Sequence, residues 1–275
     1  MDIRIDEEKC TKCGECVQEC PMYFIRMPEE GVPFMPQEVQ DQCFACQHCM
    51  TVCKFGALSL TGFDPEDAET LDGYEPDPDN VEMLIKSRRS IRRYKNEAVE
   101  PETLSRLMEV LSYAPTGKNH QSVLYTLVDD PKVMGSIAER TYEAIRGHRD
   151  AGTIPEGLEF FSMAVDCRDN GKDIIFREAP HMLIASAPKT APAGNADTHI
   201  GLTTFEVMAN ALGLGTLWCG FAKWAFLHFA TDVYKSFGIP EDHELGYVLM
   251  FGKPAVRYPR LVQRDGTVNV NRVTA

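Results

Sequence analysis

Eight of the chain's ten cysteines fall before residue 54, in two runs of identical spacing. The first is Cys10, Cys13, Cys16 and Cys20, followed by Pro21; the second is Cys43, Cys46, Cys49 and Cys53. Thiolates are soft ligands that select iron–sulfur clusters or zinc. Paired C-x-x-C spacing alone would also suit zinc. The third and fourth cysteines of each run, duplicated, point instead to two [4Fe–4S] clusters. Three closely spaced thiolates wrap one cubane, and the fourth is carried to the other. Cys10, Cys13, Cys16 and Cys53 are therefore expected to hold one cluster, and Cys43, Cys46, Cys49 and Cys20 the other.

Three later segments could also do chemistry. Arg88-Arg89-Ser90-Ile91-Arg92-Arg93-Tyr94 packs four guanidiniums and a hydroxyl into a short span. Arginine offers paired donors matched to phosphate oxygens. On spacing alone, an anion site and a basic helix end near its C-terminal dipole stand equally. Ala114 to Gln121 is rich in groups able to reach a heteroaromatic edge, and by itself reads as a helix-terminating loop. Gly213-Leu214-Gly215-Thr216-Leu217-Trp218-Cys219-Gly220 places glycines where a backbone could approach a ligand or turn tightly. The histidines are scattered without metal-ligand spacing, and Cys167 has no partner spacing. No GxGxxG follows an expected strand, so a dedicated dinucleotide fold is not expected.

The elements that must position these residues have mixed periodicity. Leu104, Leu107, Met108 and Leu111 share a helical face after Pro101, a residue suited to the first turn. Val123–Val128, Met182–Ala187 and Leu245–Phe251 read as strands. Lys132–Arg146 and Thr198–Leu212 read as helices, the second closed by Gly213. Helices flanking a small sheet make an α+β layer fold. Between residues 64 and 82 there are nine acids, three prolines and no Lys or Arg. That composition reads as a solvated linker. The expected organisation is an iron–sulfur domain at 1–63, a linker at 64–80 and a larger domain at 81–275.

The chain has 275 residues and a net charge of −13, which argues against nucleic acid as a partner. No apolar stretch approaches bilayer-spanning length. Asp2, Arg4, Asp6, Glu7, Glu8 and Lys9 leave no apolar leader. A reduced cytoplasm, where thiols persist as metal ligands, is the expected location.

The first sixty residues resemble a bacterial two-cluster ferredoxin domain, including Phe55-Gly56-Ala57-Leu58 after the second run. Lys54 departs from it, standing where proline is usual. The three later segments, in their order, resemble the nitroreductase-like family of FMN enzymes from about Val81 to Arg264. The resemblance implies an α+β nitroreductase-like fold with FMN as cofactor. It implies that Arg88, Arg89, Ser90 and Arg92 hold the FMN phosphate and ribityl chain. Pro115, Thr116, Gly117 and Asn119 match the loop that reaches the flavin, commonly from the other subunit. Cys219 and Gly220 match the turn whose backbone amide approaches flavin N5. Near the C-terminus, Arg264 matches an arginine that contacts phosphate, with Arg260 as the alternate. An intertwined homodimer is implied.

The resulting expectation is an FMN oxidoreductase that passes electrons through its clusters to reduce an electron-poor small molecule, nitroaromatic or quinone-like. Reduced ferredoxin or NAD(P)H would be the donor. No catalytic side chain is expected, because the flavin carries the chemistry. The alternative is a non-catalytic flavin and iron–sulfur carrier, or a redox sensor, serving a partner protein. A third reading is an enzyme that transforms flavin or dehalogenates its substrate.

Overall fold

The computed structural model describes residues 1–266 and 268–274. The chain divides into two compact units. One is Met1–Pro76 together with Gly117–His120; the other is Asp77–Thr116 and the chain from Gln121 onward.

In the first unit, strand β1 (Ile3–Ile5) pairs antiparallel with β2 (Leu58–Leu60), placing Ile3 opposite Leu60 and Ile5 opposite Leu58. Two single-turn helices, α1 (Glu15–Gln18) and α2 (His48–Thr51), carry the middle of each cysteine run. Ile25, Met35, Met50 and Leu58 fill the small core around them. The duplication of sequence is repeated in the backbone. Lys12, Gly14 and Tyr23 have positive φ, and so do Ala45, Gln47 and Gly56, each offset by the same 33 positions. The sharp left-handed turns fold each run back on itself so that its thiols converge.

The acidic stretch carries structure at both ends. Asp64 caps a 3-10 turn at Pro65–Asp67, and Glu66 pairs with Lys9 at 2.8 Å. At its far end, Asp77 caps α3 (Pro78–Ser87) by accepting from Asp79 N. Proline just inside the start and an acidic cap before it are helix-start signals.

The second unit is built on α4 (Pro101–Val110), β3 (Leu124–Val128), α5 (Pro131–Asp150), α6 (Phe160–Asp169), β4 (His181–Pro188), α7 (Gly194–Ala211), β5 (Gly215–Trp218), α8 (Gly220–His228), α9 (Thr231–Lys235) and β6 (His243–Gly252). The sheet order is β3-β4-β6-β5, and all its pairings are antiparallel. The sheet is covered on both faces. Along β4, Met182 and Ile184 join a core with Tyr142, Phe161 and Phe226, while Leu183 and Ala185 join one with Leu107, Leu202 and Phe205. A strand buried on both sides loses alternation and reads as a continuous apolar run. Gly213, at φ 76, ends α7 as expected, with Leu214 N donating to Ala209 O. The α+β expectation holds for this unit. Among the described residues, no helix is long and apolar enough to cross a membrane.

Candidate functional site

The eight N-terminal thiols gather into two sets of four, crossed as the spacing implies. Cys10, Cys13, Cys16 and Cys53 line one cavity of about 210 Å3, and Cys20, Cys43, Cys46 and Cys49 line another. Burial, and then the neighbouring thiols Cys13, Cys53 and Cys10, push Cys16 up to about 11. Burial, and then Cys46, Cys43 and Cys20, push Cys49 up to about 12. Four thiolates packed together repel one another unless positive charge lies among them, and iron supplies it. Among the described residues, no three of these side chains are gathered closely enough to hold a single metal ion. Four thiols line each cavity, and the residues present fit iron–sulfur ligation. Cys20 and Cys53, the fourth cysteines of the two runs, also accept backbone hydrogen bonds: Phe24 N donates to Cys20 Sγ at 3.3 Å, and Ala57 N to Cys53 Sγ at 3.2 Å. Lys54 lies on the wall of the first set.

In the second unit, the arginine-rich motif is an extended segment rather than a helix end. The helix stops at Ser87, and Arg88 takes an extended conformation. Ile91 N donates to Thr216 O at 2.8 Å, so the motif runs beside β5. Further along, Lys95 N donates to Lys253 O and Ala255 N to Arg93 O. Arg88 pairs with Glu206, a buried carboxylate on α7. Glu206 also accepts from Thr216 Oγ1 at 3.1 Å and Trp218 Nε1 at 2.9 Å. Arg88 Nε is buried without a partner. The guanidinium of Arg89 lies 5.9 Å from the centre of the Tyr258 ring. Ser90 is exposed and bridges Thr216.

A cavity of about 200 Å3 opens where this motif meets the end of β5. Its walls are Arg92, Ile174, Ile175, Arg177, Leu217, Trp218, Cys219, Gly220 and Phe221. Two guanidiniums, two aromatic rings and a helix start suit a planar, electron-accepting ring that becomes anionic. The orphaned Arg88 Nε is a further donor on the same motif. The residues present fit FMN.

Cys219 is a helix cap and not a reactive thiol. Its sulfur accepts from Ala222 N and donates to Ile175 O at 3.1 Å. Burial pushes it up to about 12, so it stays protonated. Gly220 lies against Tyr247, whose hydroxyl would be 3.0 Å from a Cβ there.

The structure does not bring every expected residue to this cavity. Arg260 and Arg264 lie in the exposed segment that follows β6. Pro115 is exposed, and Thr116 Oγ1 accepts from Gln121 N across its own loop. Gly117 and Asn119 belong to a turn grouped with the N-terminal unit. There Asn119 Nδ2 donates to Phe44 O and Ala45 O.

Sequence reasoning missed Arg177 and Glu206. Arg177 has no spacing signal: it sits on a loop fixed by buried Asp173, with φ of 60. Glu206 was legible in principle, as the one acid inside the apolar run Leu202 to Met208. A charge buried in such a run needs a partner.

Residues 85–253 match the nitroreductase family model, and residues 9–57 match that of the 4Fe-4S dicluster domain. The chain is 27% identical over 195 residues to an iodotyrosine deiodinase of Thermotoga neapolitana, covering 68% of this chain and 96% of that protein. Its N-terminal part is 32% identical over 73 residues to the iron-sulfur cluster-binding subunit of a menaquinone reductase of Nitratidesulfovibrio vulgaris. That match spans 26% of this chain and only 28% of the relative. A nitroreductase with bound FMN from Desulfitobacterium hafniense superimposes with a TM-score of 0.55 at 24% identity, over 70% of this chain and 98% of that one. The fold, the extended arginine motif beside β5 and the family match agree: the chain belongs to the nitroreductase family of oxidoreductases and carries a 4Fe-4S dicluster domain ahead of the family's own domain.

Proposed function

We propose that this enzyme uses FMN to reduce an electron-poor small molecule, nitroaromatic or quinone-like, with electrons delivered through two [4Fe–4S] clusters. The observation that carries this reading is the convergence of eight thiols into two crossed sets of four, in the same chain as the cavity at Arg92, Arg177 and Gly220. Bound FMN would supply the exchange of one or two electrons. The chain's own residues do the rest. Arg92 and Arg177 offset negative charge that develops in the cavity. Trp218 and Phe221 wall the ring plane. The Cys219 cap fixes the start of α8, so that Gly220 can approach the ring with no side chain in the way. Membership of the nitroreductase family favours catalysis over a carrier. A homodimer and a cytoplasmic location, where thiols stay reduced, belong to the same reading. Light scattering of the purified protein tests the first.

A second reading is reductive dehalogenation, favoured by the identity shared with the Thermotoga deiodinase along most of its length. Anaerobic stopped-flow spectroscopy separates the possibilities. NADH, NADPH and reduced ferredoxin are offered in turn, with flavin and cluster bands followed separately. A nitroaromatic, a quinone and a halophenol are then supplied and the products identified. Reduction of clusters before flavin, followed by turnover of the nitroaromatic or quinone, is the expected result. Turnover of the halophenol alone would move the assignment to dehalogenation. A flavin that reduces none of the three would return it to a carrier.

A further inference from the structure

We infer that the two thiol sets hold their clusters at different potentials, with Lys12 and Lys54 raising the cluster of Cys10, Cys13, Cys16 and Cys53 above its neighbour. The inference rests on the two-cluster reading above and concerns the N-terminal unit alone.

The duplication at 33 positions supplies a comparison within the chain itself. Lys12 corresponds to Ala45, Thr11 to Phe44 and Lys54 to Pro21. The backbone is matched at the first pair, with φ 57 at Lys12 and φ 50 at Ala45. The amide bonds to the fourth cysteines are matched too: Phe24 N on Cys20 Sγ and Ala57 N on Cys53 Sγ, at 3.3 and 3.2 Å. Those bonds do not distinguish the two sets. Charge and exposure do.

The wall of the first cavity carries Lys9, Lys12 and Lys54 and one acid, Glu15. Lys9 is engaged by Glu66 at 2.8 Å. Lys12 and Lys54 thus leave this wall with more positive charge than Glu15 offsets. The second cavity is walled by Pro21, Phe24, Ile25, Met35 and Phe44 among others, and among the described residues it carries no Lys, Arg, Asp or Glu. Exposure runs the same way. Cys13 is exposed where its counterpart Cys46 is half-buried, and Cys16 is half-buried where Cys49 is buried.

A [4Fe–4S] core held by four thiolates has a net charge of two negatives when the core is +2. One added electron brings the core to +1 and the net charge to three negatives. Net charge and solvent exposure are among the factors that set the potential. A nearby ammonium and solvent both favour the more negative state, and an apolar wall disfavours it. The first set is therefore raised and the second lowered. The first electron given to this unit rests on the Cys10, Cys13, Cys16 and Cys53 cluster, and the other cluster needs a stronger reductant.

The test uses the full-length holoprotein with iron and sulfide contents measured. It is titrated anaerobically with dithionite through mediator dyes, and the clusters are followed by EPR and visible absorption. Two separate one-electron steps are expected. Lys12→Ala and Lys54→Gln should each lower the upper step alone. At a fixed potential the reduced-to-oxidised ratio of that cluster should fall about two- to tenfold, tenfold being about 59 mV for one electron. Lys54→Arg keeps the charge and should leave the step in place. Ala45→Lys, at a backbone angle that Lys12 shows a lysine can hold, should raise the lower step alone. These shifts should narrow in high salt, because screening acts on exposed charges. A change in packing would not respond in that way.

Coincident steps in the unaltered protein would overturn the inference. So would lysine removals that move the lower step, or neither. Should Ala45→Lys fail to assemble its clusters, the two removals decide alone. Iron and sulfide sufficient for only one cluster would remove the two-cluster reading itself, an outcome distinct from two clusters of equal potential.

Discussion

Gly215 and Ile91 leave no room between them: a Cβ on Gly215 would lie 2.5 Å from Ile91 Cγ1 and 2.7 Å from Ile91 Cβ. The close approach lets the Arg88–Tyr94 motif run beside β5, with Ile91 N on Thr216 O. Gly215→Ala must push the motif outward or shift the strand. Overpacking of this kind costs about 1–3 kcal/mol. At about 2–4 °C per kcal/mol for a domain of this size, the loss is readable in a melting curve. Because the displaced segment carries Ser90 and Arg92, which the proposed reading assigns to FMN, retention of FMN through gel filtration should fall as well. An unchanged melting temperature with full FMN content would contradict this account.

The Arg88–Glu206 pair makes a separate prediction. Glu206 keeps only 4% of its side chain exposed, against 35% for Arg88. Removing one partner of a buried pair leaves an uncompensated charge and costs about 3–5 kcal/mol, and the exposure of Arg88 puts Arg88→Ala near the low end. Glu206→Gln relieves the charge and can keep its one oxygen toward Trp218 Nε1, its amide group donating to Thr216 Oγ1 in turn. Added to Arg88→Ala, it should recover part of the loss. A denaturant double-mutant cycle reads this coupling directly. Simple additivity of the two changes would show that the pair contributes nothing beyond its separate contacts.

The contrast between these arginines shows what the sequence could reveal. The gathering of the thiols was legible because most of it is local: close spacing brings the first three cysteines of each run to one cavity. Strands β4 and β6 were legible from their apolar runs. Strand β5 read only as a glycine-rich turn, because its glycine serves a contact with Ile91, far away in sequence. The arginine motif could be read either as an anion site or as a helix end. What separates them is Thr216 and Glu206, more than a hundred residues downstream. Helix α3 was hidden in part by the acidic composition of its first turn, which serves as a cap. Arg177 was invisible because its place depends on a tertiary hydrogen-bond cluster.

Stability should also fall on mild acidification through His181. Its ring is buried and stacks on Phe251, and Val99 N donates to its Nε2 at 2.9 Å. That contact requires the neutral ring, and burial lowers the pKa below the ordinary 6.5. The unfolded chain therefore binds the proton first. The contribution is fully present above pH 6.5 and is lost as pH falls from there toward the lower folded value. One such proton changes stability by at most about 1.4 kcal/mol per pH unit. His181→Gln keeps an acceptor for Val99 but cannot titrate. Its melting temperature should vary less between about pH 7.5 and about pH 5.5 than that of the unaltered protein. Parallel curves for the two proteins would assign the acid sensitivity to other groups.

Arg177 reaches the cavity because Asp173 shapes the loop that carries it. Asp173 Oδ1 accepts from Tyr142 Oη at 2.8 Å, Phe176 N at 2.9 Å and Ile175 N at 3.2 Å, and Oδ2 accepts from Glu178 N at 2.9 Å. These bonds hold Arg177 and Glu178 at φ 60 and 53, two consecutive left-handed residues that would otherwise relax. Hydrogen bonds to a charged acceptor contribute about 1.5–3 kcal/mol each. Asp173→Asn replaces one acceptor oxygen by an amide group, which faces either Glu178 N or the Oδ1 donors and must leave at least one of these donors without its acceptor. Hydrogen exchange should quicken at Ile175, Phe176 and Glu178 while Leu183 and Ile184 in β4 stay protected, since the loop can open without the sheet. Tyr142→Phe, which leaves the carboxylate in place, should give a smaller change at the same amides. If Asp173→Asn raised exchange equally in the loop and in β4, the carboxylate would be supporting the whole domain rather than the placement of Arg177.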